Sequence, residues 1–104
     1  MPRPANASPA PAIVHNSEAQ RFEAMLDGEL ARADYRLHGE VMRLVHTEVP
    51  PAHEGKGIAG ALVRTALAYA REHKLRAMPA CSYVRDYMKR HPETHDLLPA
   101  GTTL

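Results

Sequence analysis

From Arg21 onward the chain reads with a period of two: Phe22, Ala24 and Leu26 alternate with Arg21, Glu23 and Met25. That is the pattern of a strand with one covered face. Asp27-Gly28 interrupts it. An Asp-Gly pair between two alternating runs predicts a tight hairpin, because both turn positions take positive φ. The return strand sets Ala31, Ala33, Tyr35 and Leu37 against Leu30, Arg32, Asp34 and Arg36. His38-Gly39 supplies a second turn, and Val41 to Val49 follows as a third strand. Its run VMRLVHTEV is apolar on much of both faces, as in a covered central strand. A short leading strand at Ile13 to His15 extends the antiparallel meander from three strands to four.

Pro50-Pro51 ends the third strand, since neither residue can donate to a ladder. The period then changes. Ala59, Leu62, Val63, Ala66, Leu67 and Ala70 make one stripe of an α-helix, with Arg64, Thr65, Arg71 and Glu72 on the other side. The helix ends near His73-Lys74, cations suited to its C-terminus. Leu75 to Cys81 reads as another strand, and Ser82 as the N-cap of a short helix running to about Arg90, stopped before Pro92. The fold class is therefore α+β: an antiparallel meander, then a β-α-β unit, then a short C-terminal helix. Val41–Val49 and Leu75–Cys81 lie parallel, joined by a right-handed crossover. The domain spans residues 12–98, between a flexible Pro/Ala-rich tail at 1–11 and a tail at 99–104.

Composition narrows the function. With 104 residues the chain supports one small domain. Thirteen basic residues against 12 acidic leave a formal charge of +1, which argues against a nucleic-acid binder. For the same reason a DNA-binding role for the Arg and Lys of the last helix is remote. No apolar run approaches the roughly 20 residues of a membrane span, and the N-terminus lacks the apolar core of a signal peptide. One cysteine, Cys81, excludes an internal disulfide and fits a reducing compartment, so a cytoplasmic location is expected. The seven histidines are spread from position 15 to 95, and one cysteine cannot build a Cys-rich zinc site, so no metal is expected.

Between strand and helix stands Glu54-Gly55-Lys56-Gly57-Ile58-Ala59-Gly60. Two glycines one residue apart let the backbone turn tightly with no Cβ in the way of a ligand. The helix start offers N–H groups without intrahelical partners, and its dipole favours an anion. Lys56 adds charge, and Arg64 lies about two turns on. A P-loop fails, because it needs four residues between its glycines and Ser or Thr after the lysine. A dinucleotide fingerprint is weak, because the next strand ends in Pro79-Ala80-Cys81 with no acid. By itself the loop is equally readable as an anion site or as a bare strand-to-helix turn.

VPPAHEGKGIAGALV resembles the acetyl-CoA signature of the GNAT superfamily of N-acetyltransferases. HTEVPP, EGKGIAGALV and MPACSYVRDYMKRHPE, taken together, resemble its minimal single-domain, YjdJ-like group, over about Ile13 to Leu98. The resemblance implies transfer of acetyl from acetyl-CoA to an amine, in a small molecule or a protein. It implies a cofactor site at Val49, Glu54, Gly55, Lys56, Gly57, Ile58, Ala59 and Gly60, with the pantetheine arm between two splayed parallel strands. The Val49 backbone N–H would then polarise the thioester carbonyl. Many members carry Arg where this chain has Glu54, so the backbone amides bear more of the phosphate contact here.

The catalytic candidates are Cys81, Tyr87, Glu48 and His46. Cys81 at the end of the splayed strand is a nucleophile, a thiol beside the substrate, or simply a small buried residue. His46 is either its base or a satisfied strand histidine. Glu48 is a second candidate base for the amine. Tyr87 stands where the superfamily often carries a tyrosine that protonates the leaving thiolate, or else packs beneath the last helix. Tyr83 reads as structural. The alternative to an enzyme is a CoA-binding module with little or no catalysis, since so short a chain leaves few residues for an amine pocket. A monomer or weak homodimer is expected.

Overall fold

The computed structural model describes residues 12–104, so the expected tail at 1–11 lies outside the described residues. Five strands form one sheet in chain order. β1 (Val14–Asn16), β2 (Arg21–Leu26), β3 (Glu29–His38) and β4 (Val41–Glu48) run antiparallel, and β5 (Arg76–Pro79) pairs parallel to β4. The hairpin between β2 and β3 turns on Asp27 (φ 50°) and Gly28 (φ 82°), both in the region the Asp-Gly pair demands.

The crossover is α1 (Ile58–Glu72), and α2 (Ser82–Arg90) follows β5. Alternation puts Phe22, Ala24, Ala31, Ala33, Tyr35, Met42 and Leu44 on one face of the sheet, all buried. The α1 stripe Leu62, Val63, Ala66, Leu67 and Ala70 closes over them, lying chiefly across β2 and β3. Burying each large side chain there contributes about 1.5–3 kcal/mol. Ile58, rather than the half-buried Ala59, opens the stripe.

The first three strands are tied to α1 by an aromatic cluster. The His15 ring stacks on Phe22 at 4.3 Å and hydrogen-bonds the Tyr35 hydroxyl at 2.5 Å, while Tyr69 meets His15 edge-on. Burial pushes the His15 pKa down, helped by nearby His73, and pushes the Tyr35 hydroxyl up, helped by Tyr69.

Four details differ from the sequence reading. β4 is covered on one face only: Met42 and Leu44 are buried, while Arg43, His46 and Glu48 are exposed. Leu37, in the same alternating set as Ala31, Ala33 and Tyr35, is 46% exposed while those three are buried. The N-cap of α2 is Cys81 rather than Ser82, which is the first helical residue. Finally, the C-terminal residues pack: a 3-10 turn over Pro92–Leu97 buries Leu97, and Leu104 lies against the core.

Candidate functional site

β4 and β5 pair only over part of their length. Val41 to Leu44 match Arg76 to Pro79. The Leu44 carbonyl then accepts N–H bonds from Ala80 at 3.0 Å and Cys81 at 2.9 Å, and the β5 chain turns away into α2. Pro79, with no N–H to give, sits at the last paired position. Beyond it β4 continues alone on that side. A cleft therefore opens between Thr47 and Val49 on one wall and the start of α2 on the other.

The same point carries a β-bulge. Tyr35 pairs with Leu44 but Asp34 pairs with His46, so Val45 has no partner. One extra residue reverses the alternation beyond it. Thr47 falls opposite buried Ala33 on the helix-covered face, and His46 and Glu48 turn to the open face. A strand read straight through from Met42 and Leu44 would have placed His46 and Glu48 inward; His46 was a candidate partner for Cys81 because it lies on the adjacent strand. The structure does not bring them together. His46 Nε2 lies 3.4 Å from Glu48 Oε1, and Glu48 Oε2 faces Arg32 Nε at 3.7 Å. Cys81 instead points its Sγ at Thr47 Oγ1, 3.8 Å away.

At the end of the cleft lies the glycine loop. Pro51–His53 form a 3-10 turn, and Gly55 (φ 80°) and Gly57 (φ 77°) take left-handed backbone that L side chains resist. A Cβ on either would meet nothing within 4 Å, so the glycines serve the turn and leave the space above it open. The first helical bond of α1 runs from the Ala61 N–H to the Gly57 carbonyl, and no side chain caps this end. The N–H groups of Ile58, Ala59 and Gly60 thus remain available to an anion.

A cavity of about 360 Å³ joins cleft and loop. Of the expected cofactor residues, Val49, Glu54, Gly55, Gly57, Ile58 and Ala59 line it. Lys56 is exposed beside it, and Gly60 faces α2. Two further lining residues escaped the sequence reading. Tyr83, set aside as structural, is in the wall, its hydroxyl 3.6 Å from where a Gly60 Cβ would stand. Its spacing of four from Tyr87, on the face turned to Gly60, was the available signal. His53 is also in the wall, 8% exposed, with Nε2 3.6 Å from Asp27 Oδ2 and 4.0 Å from Glu29 Oε2. Nothing local in the sequence distinguished it from the other histidines.

Tyr87 is placed differently. It is buried between α1 and α2, stacks on His91 at 4.1 Å, and lines a second groove rather than this cavity. His91 and His95 stand four apart, but a helix end separates them: His91 Nδ1 faces Glu93 at 3.1 Å, and His95 Nε2 lies 2.7 Å from the Met88 carbonyl. Among the described residues no three His, Cys, Asp or Glu side chains group around a metal position, and no helix is long and apolar enough to cross a membrane.

Fold and cleft together define an α+β domain of the acetyltransferase type: a meander, a splayed parallel pair, and a glycine loop opening the crossover helix. The pattern described as GCN5-related N-acetyl-transferase matches residues 21–97, and the chain belongs to that family. It is 36% identical over 83 residues to Protein NATD1 of Mus musculus, covering 77% of this chain and 76% of that protein. The same protein of Homo sapiens is 36% identical (77% and 74% covered), and that of Danio rerio 31% (77% and 76% covered). A solution structure of a GCN5-like protein from Staphylococcus aureus superposes with a TM-score of 0.66 at 20% identity, covering 86% of this chain and 89% of that one. That likeness is one of fold.

Proposed function

We propose that the protein transfers an acetyl group from acetyl-CoA to an amine. The observation that carries this reading is the continuity of the splayed β4–β5 cleft with the uncapped start of α1. The cleft takes an extended arm, and the helix start takes the pyrophosphate on the N–H groups of Ile58, Ala59 and Gly60. Lys56 adds charge from the loop, and Glu54 lines the site without helping to hold phosphate. The Val49 N–H, just past the last strand residue, serves as the donor to the thioester oxygen as negative charge develops there.

The reaction joins the amine nitrogen to the acetyl carbon and breaks the carbon–sulfur bond. The amine loses a proton and the departing thiolate gains one. Cys81 and Thr47 sit together at the reacting end of the cleft, and Tyr83 presents a hydroxyl in its wall. His46 and Glu48 act from the open face, where an ammonium acceptor can surrender its proton before attack. A cytoplasmic setting suits the single free thiol.

The test is calorimetric titration with acetyl-CoA, followed by thiol release with mixed small amines and peptides. Saturable binding and amine-dependent thiol release support the transferase. Saturable binding with no release under any acceptor favours a CoA-binding module. No binding overturns the cofactor site.

A further inference from the structure

His53 stands apart from the other histidines. The rings of His15, His46, His73, His91 and His95 each engage a hydrogen bond, and His38 is exposed. His53 is buried in the cavity wall, and its ring makes no hydrogen bond among the described residues. A buried imidazole left without one costs stability that an apolar side chain of similar size would not.

The residue is fixed from two sides. Its backbone closes the turn after β4, with the His53 N–H on the Pro50 carbonyl at 2.8 Å. The ends of such a turn lie within about 7 Å. His53 therefore stands one turn beyond Val49, and both line the same cavity. Its ring faces the β2–β3 hairpin, with Nε2 3.6 Å from Asp27 Oδ2 and 4.0 Å from Glu29 Oε2. Carboxylates on that side favour the tautomer with the proton on Nε2, which leaves Nδ1 as the acceptor. Glu54 and Tyr83 are the other titratable groups of the lining, and Lys56 is exposed beside it. The lining residues from β4 and α1 carry none, and His46 and Glu48 lie on the open face of the sheet.

We infer that His53 is a catalytic base of the transfer, taking on Nδ1 the proton that the acceptor nitrogen sheds as it joins the acetyl carbon. The inference rests on the transferase reading above and supplies a base inside the cavity. When a neutral amine attacks the thioester, its nitrogen becomes positive and the carbonyl oxygen, at the Val49 N–H, becomes negative. The N–H bond then breaks, its electron pair stays on nitrogen, and the proton passes to Nδ1. The imidazolium so formed faces Asp27 and Glu29. The carbonyl re-forms, the carbon–sulfur bond breaks with its pair on sulfur, and the imidazolium proton reaches the thiolate by way of water.

The experiment measures thiol release from acetyl-CoA with benzylamine, spermidine and a lysine peptide as acceptors, for the wild type, His53→Gln and His53→Ala. Calorimetry gives each variant's acetyl-CoA affinity, and the melting transition verifies folding. Both variants should lose about a hundredfold in kcat, the scale of a general base, and keep acetyl-CoA affinity within about threefold. Added imidazole should restore His53→Ala by about tenfold or more, because the vacated space admits the missing base. An undiminished kcat in a folded His53→Gln overturns the inference and leaves the transferase reading intact. A loss of acetyl-CoA affinity in step with kcat, with no rescue by imidazole, makes His53 a support of the glycine loop and overturns it as well. No thiol release by the wild type with any of the three acceptors overturns the transferase reading and this inference with it.

Discussion

The two halves of β4 carry different burdens. From Val41 to Leu44 the strand is paired on both sides, with β3 and β5, and its inward residues Met42 and Leu44 are 0% and 1% exposed. From Val45 to Glu48 it keeps only β3, and its inward residue Thr47 lines a cavity. The bulge at Val45 and the proline at 79 mark the boundary. A closed half fixes the fold, and an open half exposes backbone and side chains to a ligand. The difference teaches that the splay is built by ending one ladder early, with the glycine loop stationed where the strand runs out.

The largest effect that would sharpen this contrast is expected in the closed half. Leu44→Ala should cost about 2–5 kcal/mol in urea unfolding, the range for truncating a buried leucine. A cost under about 0.5 kcal/mol would erase the distinction between halves. At the loop, Gly57→Val forces a β-branched residue into positive φ. It should lower stability by about 1–2 kcal/mol and weaken acetyl-CoA binding by roughly ten- to a hundredfold through displaced amides. Full binding in a folded Gly57→Val protein would break the assignment of that loop to phosphate.

Smaller effects follow. Tyr83→Phe should reduce turnover about two- to tenfold, one hydroxyl's worth of hydrogen bonding, and leave the unfolding midpoint unmoved. A drop in stability without a change in rate would make Tyr83 a packing residue. The least effect belongs to the aromatic cluster, far from the cleft. The folded pKa of His15 is lowered from 6.5, so the fold favours the neutral ring. Its contribution is present above that value and fades as pH falls through the lower folded value. Urea midpoints should therefore drop more between pH 7.5 and pH 5 in the wild type than in His15→Gln. Equal drops would remove His15 from the balance.

Much of the fold was legible because its signals are local. Asp27-Gly28 demanded its turn, the α1 stripe kept its period, and Pro50-Pro51 marked the end of β4. The loop glycines were legible for the same reason. What stayed hidden depends on counting across strands. The unpaired Val45 is invisible in a run of apolar residues, so the side of the sheet that His46 and Glu48 face was not legible. Tyr83 and His53 were hidden because a wall residue is defined by what folds opposite it. The packing of Leu97 and Leu104 arises from a turn with no periodic signature.

The unpaired Val45 also makes the length of β4 part of its chemistry. A pleated strand is a parity code, odd positions to one side and even to the other, and one surplus residue is a change of parity. Substitutions along HTEV can alter what each side carries but cannot exchange the sides. Inserting one paired residue between Val45 and His46 can: with the bulge kept, it would send His46 and Glu48 toward the helices and turn Thr47 out, whereas deleting Val45 only closes the bulge and leaves all three facing as they do. Among related chains, a residue gained here would rewrite the site more thoroughly than many point changes.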